Sequence, residues 1–190
     1  MKRVLVGFFA LVAVLSLFAC TMPSDQSTGG GTASGRIYKK GDTGPAGGIV
    51  FYDRGFTKDG WRYLEAAPAG KEFVAKWGPY NVNVAGTETK VGSGKQNTQL
   101  IVAALGDTEN AAQLCASLNF NRHNDWFLPS KDELDLMYKN LRLGDFLLIY
   151  WSSSQYDYSN DNAWAQNFYD GNQFFNNKIY SIYVRAIRAF

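Results

Sequence analysis

Apolar and polar residues are distributed in three different ways along the chain. From Val4 to Ala19 the residues are uncharged and mostly apolar, and from Thr21 to about Gly35 they are chiefly Ser, Thr, Gly, Asp, Gln and Pro. Only from residue 36 to 190 do the two kinds interleave as a folded domain requires. Within that stretch Gly48-Ile-Val-Phe-Tyr-Asp53 and Trp61-Arg-Tyr-Leu-Glu-Ala-Ala67 read as strands, paired as a hairpin through the turn Gly55-Phe-Thr-Lys-Asp-Gly60. Gly78 to Gly94 reads as a Gly/Asn/Thr-rich loop. Between Asp107 and Leu118, Ala111, Leu114, Cys115 and Leu118 share one face of a helix. A second helix begins after Leu128-Pro-Ser, where Ser130 caps the N-terminus and Glu133 completes a capping box. Leu134, Met137, Tyr138 and Leu141 supply its buried stripe, and Gly144 sits where it would stop. Asn167-Phe-Tyr-Asp-Gly-Asn-Gln-Phe174 predicts a second hairpin turning at Asp170-Gly171. A last strand, Val184 to Phe190, ties the chain end into a sheet. Two early strands, two central helices and a late set of strands make a single α+β domain, mostly antiparallel.

The N-terminal apolar run changes this picture by adding an export step. Lys2 and Arg3 precede it, and it is shorter than the roughly 20 apolar residues of a membrane-spanning helix, so residues 1 to 19 read as a signal peptide. Leu17-Phe-Ala-Cys20 looks like a lipobox, which makes Cys20 the lipid-bearing first residue of the mature protein and the lipid its link to a membrane. Phe18 departs from the small residue usual in that slot. Residues 20 to 35 would then be a flexible tether and residues 36 to 190 the domain. The expected location is the cell envelope, lipid-anchored, on an outer membrane facing the cell surface.

Charge and cysteine content narrow the chemistry. Removing Lys2 and Arg3 lowers the 19 basic residues to 17, equal to the 17 acidic ones, and no basic stripe remains, so nucleic acid is not an expected partner. Lipidation of Cys20 leaves Cys115 without a disulfide partner, and its place on an apolar helix face suits a small buried thiol. Gly92-Ser-Gly-Lys95 is not a phosphate-binding loop, because Thr89 stands where Gly is needed and Gln96 where Ser or Thr is needed. His123 is the only histidine, which leaves no triad or His-based zinc site, and Asn121-Arg-His-Asn-Asp125 reads as a turn. Asn124, Asp125 and Trp126 offer oxygens beside an aromatic, yet they lead into the helix cap rather than forming a calcium cluster. No catalytic residue, metal or cofactor is expected.

Several strings occur in one order over nearly all of residues 36 to 190: Gly47-Gly-Ile-Val-Phe-Tyr52, Tyr63-Leu-Glu-Ala-Ala-Pro68, Asp125-Trp-Phe-Leu-Pro-Ser-Lys-Asp-Glu-Leu134, Tyr150-Trp-Ser-Ser-Ser154, Ala163-Trp164 and Val184-Arg-Ala-Ile-Arg-Ala-Phe190. Together they resemble bacterial surface domains with a C-type-lectin-like fold of the formylglycine-generating-enzyme type. The enzymes sharing that fold use a pair of cysteines, which Cys20 and Cys115 do not supply. The resemblance implies a ligand face built from the last strands and loops.

The composition of that region is itself distinctive. From Gln155 to Tyr183, 21 of 29 positions are Asn, Asp, Tyr, Ser, Phe or Ile, and each of these is reached by altering adenines in an asparagine codon or by leaving them unaltered. The segment is therefore similar to the variable proteins of diversity-generating retroelements, in which adenine-directed mutagenesis rewrites a C-terminal repeat. In that reading Trp164, Gln166, Gly171, Gln173, Lys178, Val184, Arg185 and the final Ala-Phe are the fixed frame. The ligand-binding residues are Tyr156, Asp157, Tyr158, Ser159, Asn160, Asp161 and Asn162, then Tyr169 and Asp170. Phe174, Phe175, Asn176 and Asn177 continue the set, and Ile179, Tyr180, Ser181 and Tyr183 complete it. Tyr brings contact area at small entropic cost, and Ser or Asn brings adaptable hydrogen bonding, as in antibody loops. The expected function is display of a diversified face to an extracellular protein or glycan. The alternative is an undiversified lectin-like adhesin of fixed specificity.

Overall fold

In the computed structural model, residues 35–106, 108–141 and 148–190 are described; the export segment, Cys20, the tether up to residue 34 and the Gly144 helix stop fall outside them. The early hairpin is present as β1 (Ile49–Lys58) and β2 (Trp61–Ala66). The expected turn from Gly55 to Gly60 is corrected, because β1 runs on to Lys58 and the reversal is confined to Asp59 and Gly60. Both have positive φ, 54° and 81°, as a two-residue type I′ turn needs. Arg54 keeps the hairpin arm extended: its guanidinium lies over the rings of Phe56 and Trp61 and donates to the Lys58 carbonyl at 2.9 Å.

A 3₁₀ turn (Ala69–Lys71) and a short β3 (Phe73–Ala75) follow, and then three helices among the described residues. These are α1 (Gly94–Leu105), α2 (Ala111–Ala116) and α3 (Lys131–Asn140), where two were expected. α1 escapes a hydrophobic pattern because two of its buried positions are polar. Asn97 pairs through its amide with both backbone groups of Glu88, at 2.9 and 2.6 Å. The Thr98 hydroxyl donates to Gly94 and accepts from the Leu128 amide at 3.0 Å. Only Ile101 on α1 is a fully buried aliphatic side chain.

α2 begins where the Asn110 side chain accepts from the Gln113 amide at 3.0 Å, and it buries Ala111, Ala112 and Cys115 against the core. α3 has the expected capping box, with the Ser130 amide donating to Glu133 Oε2 at 2.7 Å and the Glu133 amide to Ser130 Oγ at 3.3 Å. Its buried stripe is Leu134 and Met137.

The remaining strands are β4 (Ile149–Gln155), β5 (Asn162–Asn167), β6 (Gln173–Asn177), β7 (Ile182–Val184) and β8 (Ile187–Ala189). One sheet has the order β1-β2-β8 and the other β3-β7-β4-β5-β6, antiparallel throughout except between β4 and β7. The single last strand expected from Val184 to Phe190 is corrected to two, one in each sheet. The break falls at Arg185 and Ala186, because the buried Arg185 guanidinium turns inward to the Ala67 carbonyl at 2.8 Å while the Ala186 carbonyl accepts from the Ala67 amide. Phe190 still ends tied to the sheet, its amide donating to the Tyr63 carbonyl at 3.0 Å.

From Ile37 to Phe190 the chain is one compact unit with an aromatic-rich core. Trp77, Trp126 and Trp151 sit with Ile101, Leu128 and Val184 in one buried cluster, and Phe51, Leu64, Met137, Tyr150 and Ile187 form a second. Tyr38, Val50 and Tyr63, with Phe190, cover the outer face of the three-stranded sheet. The larger sheet ends on β6, so this strand has one unpaired edge.

Candidate functional site

The β5–β6 hairpin organises the expected ligand-binding residues. Its register pairs Asn162 with Asn177, Ala163 with Asn176, Trp164 with Phe175, Ala165 with Phe174 and Gln166 with Gln173. Alternation along β5 sends Ala163 and Ala165 into the core and leaves Trp164 half-buried on the other face. The β4–β5 turn, residues 156 to 161, and the β6–β7 loop, residues 178 to 181, meet at one end of this hairpin. The Tyr156 amide donates to the Asn162 carbonyl at 3.0 Å and the Lys178 amide to the Asp161 carbonyl at 2.8 Å. Tyr169 and Asp170 lie in the five-residue turn between β5 and β6, at the opposite end, about 17 Å away for a strand of this length. The structure thus gathers Tyr156–Asn162 with Phe175–Ser181 and sets Tyr169–Asp170 apart.

An aromatic cluster dominates the first end. Tyr156 stacks on Phe175 with ring centres 4.4 Å apart and planes 18° apart, meets Trp164 edge-on at 5.4 Å and touches Tyr158 at 5.5 Å. The Lys131 ammonium lies 3.7 Å from the Trp164 ring centre. Tyr158 is 88% exposed and Tyr180 57%, so large rings face water without cover. Asp161 is partly structural, since its carboxylate accepts from the Asn81 amide at 2.7 Å. Asp157 borders an open groove of about 350 Å³ whose other side is Thr87, Glu88, Thr89 and Lys90.

Beneath these residues lies a buried frame. Lys178 is fully buried, its ammonium 4.4 Å from the Trp77 ring centre and donating to the Val82 carbonyl at 2.8 Å and to Gln155 Oε1 at 2.6 Å. Burial pulls its pKa down to about 8, and the Asp161 carboxylate opposes that fall. Gln166 is also fully buried, its amide donating to Asp135 and to the Gly171 carbonyl. Gly171 has φ +80° and lies against the Tyr138 ring where a Cβ would collide. Gln173 donates to the Lys131 carbonyl at 2.9 Å. Arg185 meets Glu72 at 3.3 Å, and Tyr150 donates to the same carboxylate at 3.0 Å.

Two expected ligand residues also serve the core. Phe174 packs half-buried against the first cluster, and Tyr183 does so against the second, 5.9 Å from the Tyr150 ring. Every one of the 17 expected positions is nevertheless exposed or half-buried, while Gln166, Lys178, Val184 and Arg185 of the expected frame are buried. Trp164 belongs to the expected frame, yet its ring joins the surface cluster. Lys131, Asn81 and the Thr87–Lys90 loop also border this surface, and their composition does not mark them for it.

The other residues singled out by their chemistry have structural places. Cys115 is fully buried, and burial alone drives its thiol pKa far up, so the reactive thiolate is suppressed. Asn121 and Arg122 have φ of 49° and 65°, the centre of a turn closed by two Phe120–His123 backbone bonds at 2.9 and 3.0 Å. Asp125 accepts from Arg188 at 2.6 Å, and the same guanidinium reaches the buried Glu65 at 3.0 Å. Gly92 donates its amide to Glu133 Oε1 at 2.8 Å, which ties this loop to the start of α3.

Fold and surface together define an α+β scaffold that carries an aromatic and Asn-rich face on a closely hydrogen-bonded frame. The model of the Lcl C-terminal domain matches residues 81–188, and the chain belongs to that family. The matched span includes all three helices and the whole 155–183 segment. No curated protein matches the chain.

Proposed function

We propose that this protein is a non-enzymatic display lipoprotein: residues 1 to 19 direct export, Cys20 carries the lipid, and the domain presents a retroelement-diversified face to an extracellular protein or glycan. The face comprises Tyr156–Asn162, Phe174–Asn177 and Ile179–Ser181, with Tyr169–Asp170 and Tyr183 at its margins. One observation carries the reading. The positions whose codons fit adenine-directed rewriting are all exposed or half-buried, although Phe174 and Tyr183 also touch the core, and the buried positions between them hold residues outside that codon set, such as Ala163, Gln166 and Lys178. A surface can be rewritten without cost to folding only if its variable side chains are not the ones that pack. The family lends further support, because its domain is associated with variable lipoproteins of diversity-generating retroelements.

At the finer level the scaffold is of the C-type-lectin-like kind found in the lipoprotein Treponema variable protein A. Its two-sheet α+β architecture and C-terminal ligand strands are consistent with that assignment. Sequencing the DNA downstream of the gene tests the diversification. The expected result is a near-copy of the segment coding for residues 155 to 183, differing at adenines and beside a reverse-transcriptase gene. Identical residues at Tyr156–Tyr183 in sibling isolates, with no such copy, would instead leave a lectin-like adhesin of fixed specificity. For the anchor, Cys20→Ala is expected to release the domain from the membrane fraction, and a variant that still pellets with membranes refutes the lipid attachment.

A further inference from the structure

A second cleft, of about 310 Å³, opens between the β1–β2 hairpin and the N-terminal half of α1. Its floor is apolar and buried at Leu64 and Phe127, with Ala189 beside them. The Trp61 indole lines one wall, held by the Arg54 guanidinium stacked 4.1 Å from a ring centre. Lys95, Gln96 and Gln99 of α1 and Asp59 of the hairpin turn stand exposed around the opening. The Gly92 edge is fixed by its bond to the buried Glu133. None of these residues lies between 155 and 183, so rewriting that segment leaves the cleft unchanged.

The mixture of groups selects a ligand class. A phosphate or other strong anion is disfavoured, because Lys95 on the rim is offset by Asp59 and by the Glu133 carboxyl buried behind the Gly92 edge. A cation is disfavoured by the positive charges of Lys95 at the rim and of Arg54, which lies over one face of the indole. A wholly apolar ligand would strip water from two amides, an ammonium and a carboxylate without replacing their hydrogen bonds. A neutral ring with an apolar C–H face and outward hydroxyls meets every feature. The indole and the apolar floor take its face, while Gln96 and Gln99 can each donate and accept, Lys95 donates and Asp59 accepts. The volume stands at the small end of ligand sites, enough for about one such ring. We infer that the cleft between Trp61 and α1 binds one neutral sugar ring of a glycan, as a fixed recognition site separate from the diversified face.

The test uses the full chain in detergent micelles and the methyl glycosides of glucose, galactose, mannose and N-acetylglucosamine. Each is titrated to about 10 mM, because a single-ring ligand binds in the millimolar range. At least one is expected to show saturation-transfer NMR signals and to change tryptophan fluorescence. Gln96→Ala with Gln99→Ala should weaken that glycoside about tenfold or more, which corresponds to the loss of one or two hydrogen bonds. Tyr158→Ser, on the other surface, should leave its affinity unchanged. Should the double variant unfold by circular dichroism, Asp59→Ala carries the same expected weakening. Absence of transfer from all four glycosides overturns the inference, as does unaltered affinity in the cleft variant or an equal loss in Tyr158→Ser. None of these outcomes depends on whether residues 155 to 183 are diversified.

Discussion

At the residue scale, two buried ionisable groups hold the frame and give stability opposite dependences on pH. Glu133 is fully buried, and burial pushes its carboxyl up to about 6 even though backbone amides from Ser130 and Gly92 favour the anion. Its proton is therefore held more tightly folded than unfolded. Stability is highest below the ordinary value of 4.5 and falls as the pH rises through 6, by about 2 kcal/mol at 1.36 kcal/mol per pKa unit. Urea unfolding at a series of pH values should show that fall, and Glu133→Gln should flatten it. Lys178 behaves in the other sense. Charged in both states below pH 8, it is more readily deprotonated when folded, so stability rises as the pH climbs from about 8 toward 10.5. Lys178→Met should remove that rise. At pH 7 the same variant should cost about 2 kcal/mol, because the Val82 carbonyl loses its ammonium partner in the interior.

At the scale of elements, the β5–β6 hairpin shows how tolerance and intolerance sit side by side. Gly171→Ala should destabilise the protein by about 2 kcal/mol or more, since positive φ and the Tyr138 ring both oppose a Cβ. Its neighbour Asp170 is exposed and accepts only from the nearby Asn172 amide, so Asp170→Ser should stay within about 0.5 kcal/mol. Thermal unfolding of the two variants side by side checks both. The same contrast explains what the sequence made legible. The α3 cap was readable because Ser130 and Glu133 are three residues apart and complete each other locally. The Asp170-Gly171 turn was readable for the same reason. α1 was not, since Asn97 and Thr98 are buried only because Glu88 and Leu128 arrive from elsewhere to satisfy them. The division of the last strand depends on Arg185 finding Ala67 and Glu72 more than 100 residues earlier in the chain, a pairing no local pattern encodes. Of the proposed ligand face, codon-like composition marked the positions expected to vary, but the residues beside them, Lys131 and the Thr87–Lys90 loop, have ordinary loop and helix composition.

For the whole molecule, the most exposed rings of the 155–183 segment contribute little to packing, unlike Phe174 and Tyr183, which touch the core. Replacing Tyr158, Tyr169 and Tyr180 together by Ser should shift unfolding by no more than about 1 kcal/mol, because all three rings are mostly in water. A loss of several kcal/mol, measured by denaturant titration, would mean that these rings pack rather than display. The unpaired edge of β6 adds a consequence at the level of the population of molecules. With Lys178 directing its amide toward β5, alternation turns the Asn177 amide outward, and that group is occupied by the side chain of Asn176 at 3.0 Å. Natural sheets guard such edges against strand-to-strand zipping between copies. Here the guard is an asparagine inside the set proposed to be rewritten. Replacing Asn176 by Tyr, Phe or Ile, which offer that amide no comparable acceptor, bares it beside the half-exposed Phe175 ring, whereas Asp or Ser can still cover it. If that set is rewritten as proposed, its variants are filtered first by colloidal behaviour, before any competition for ligands.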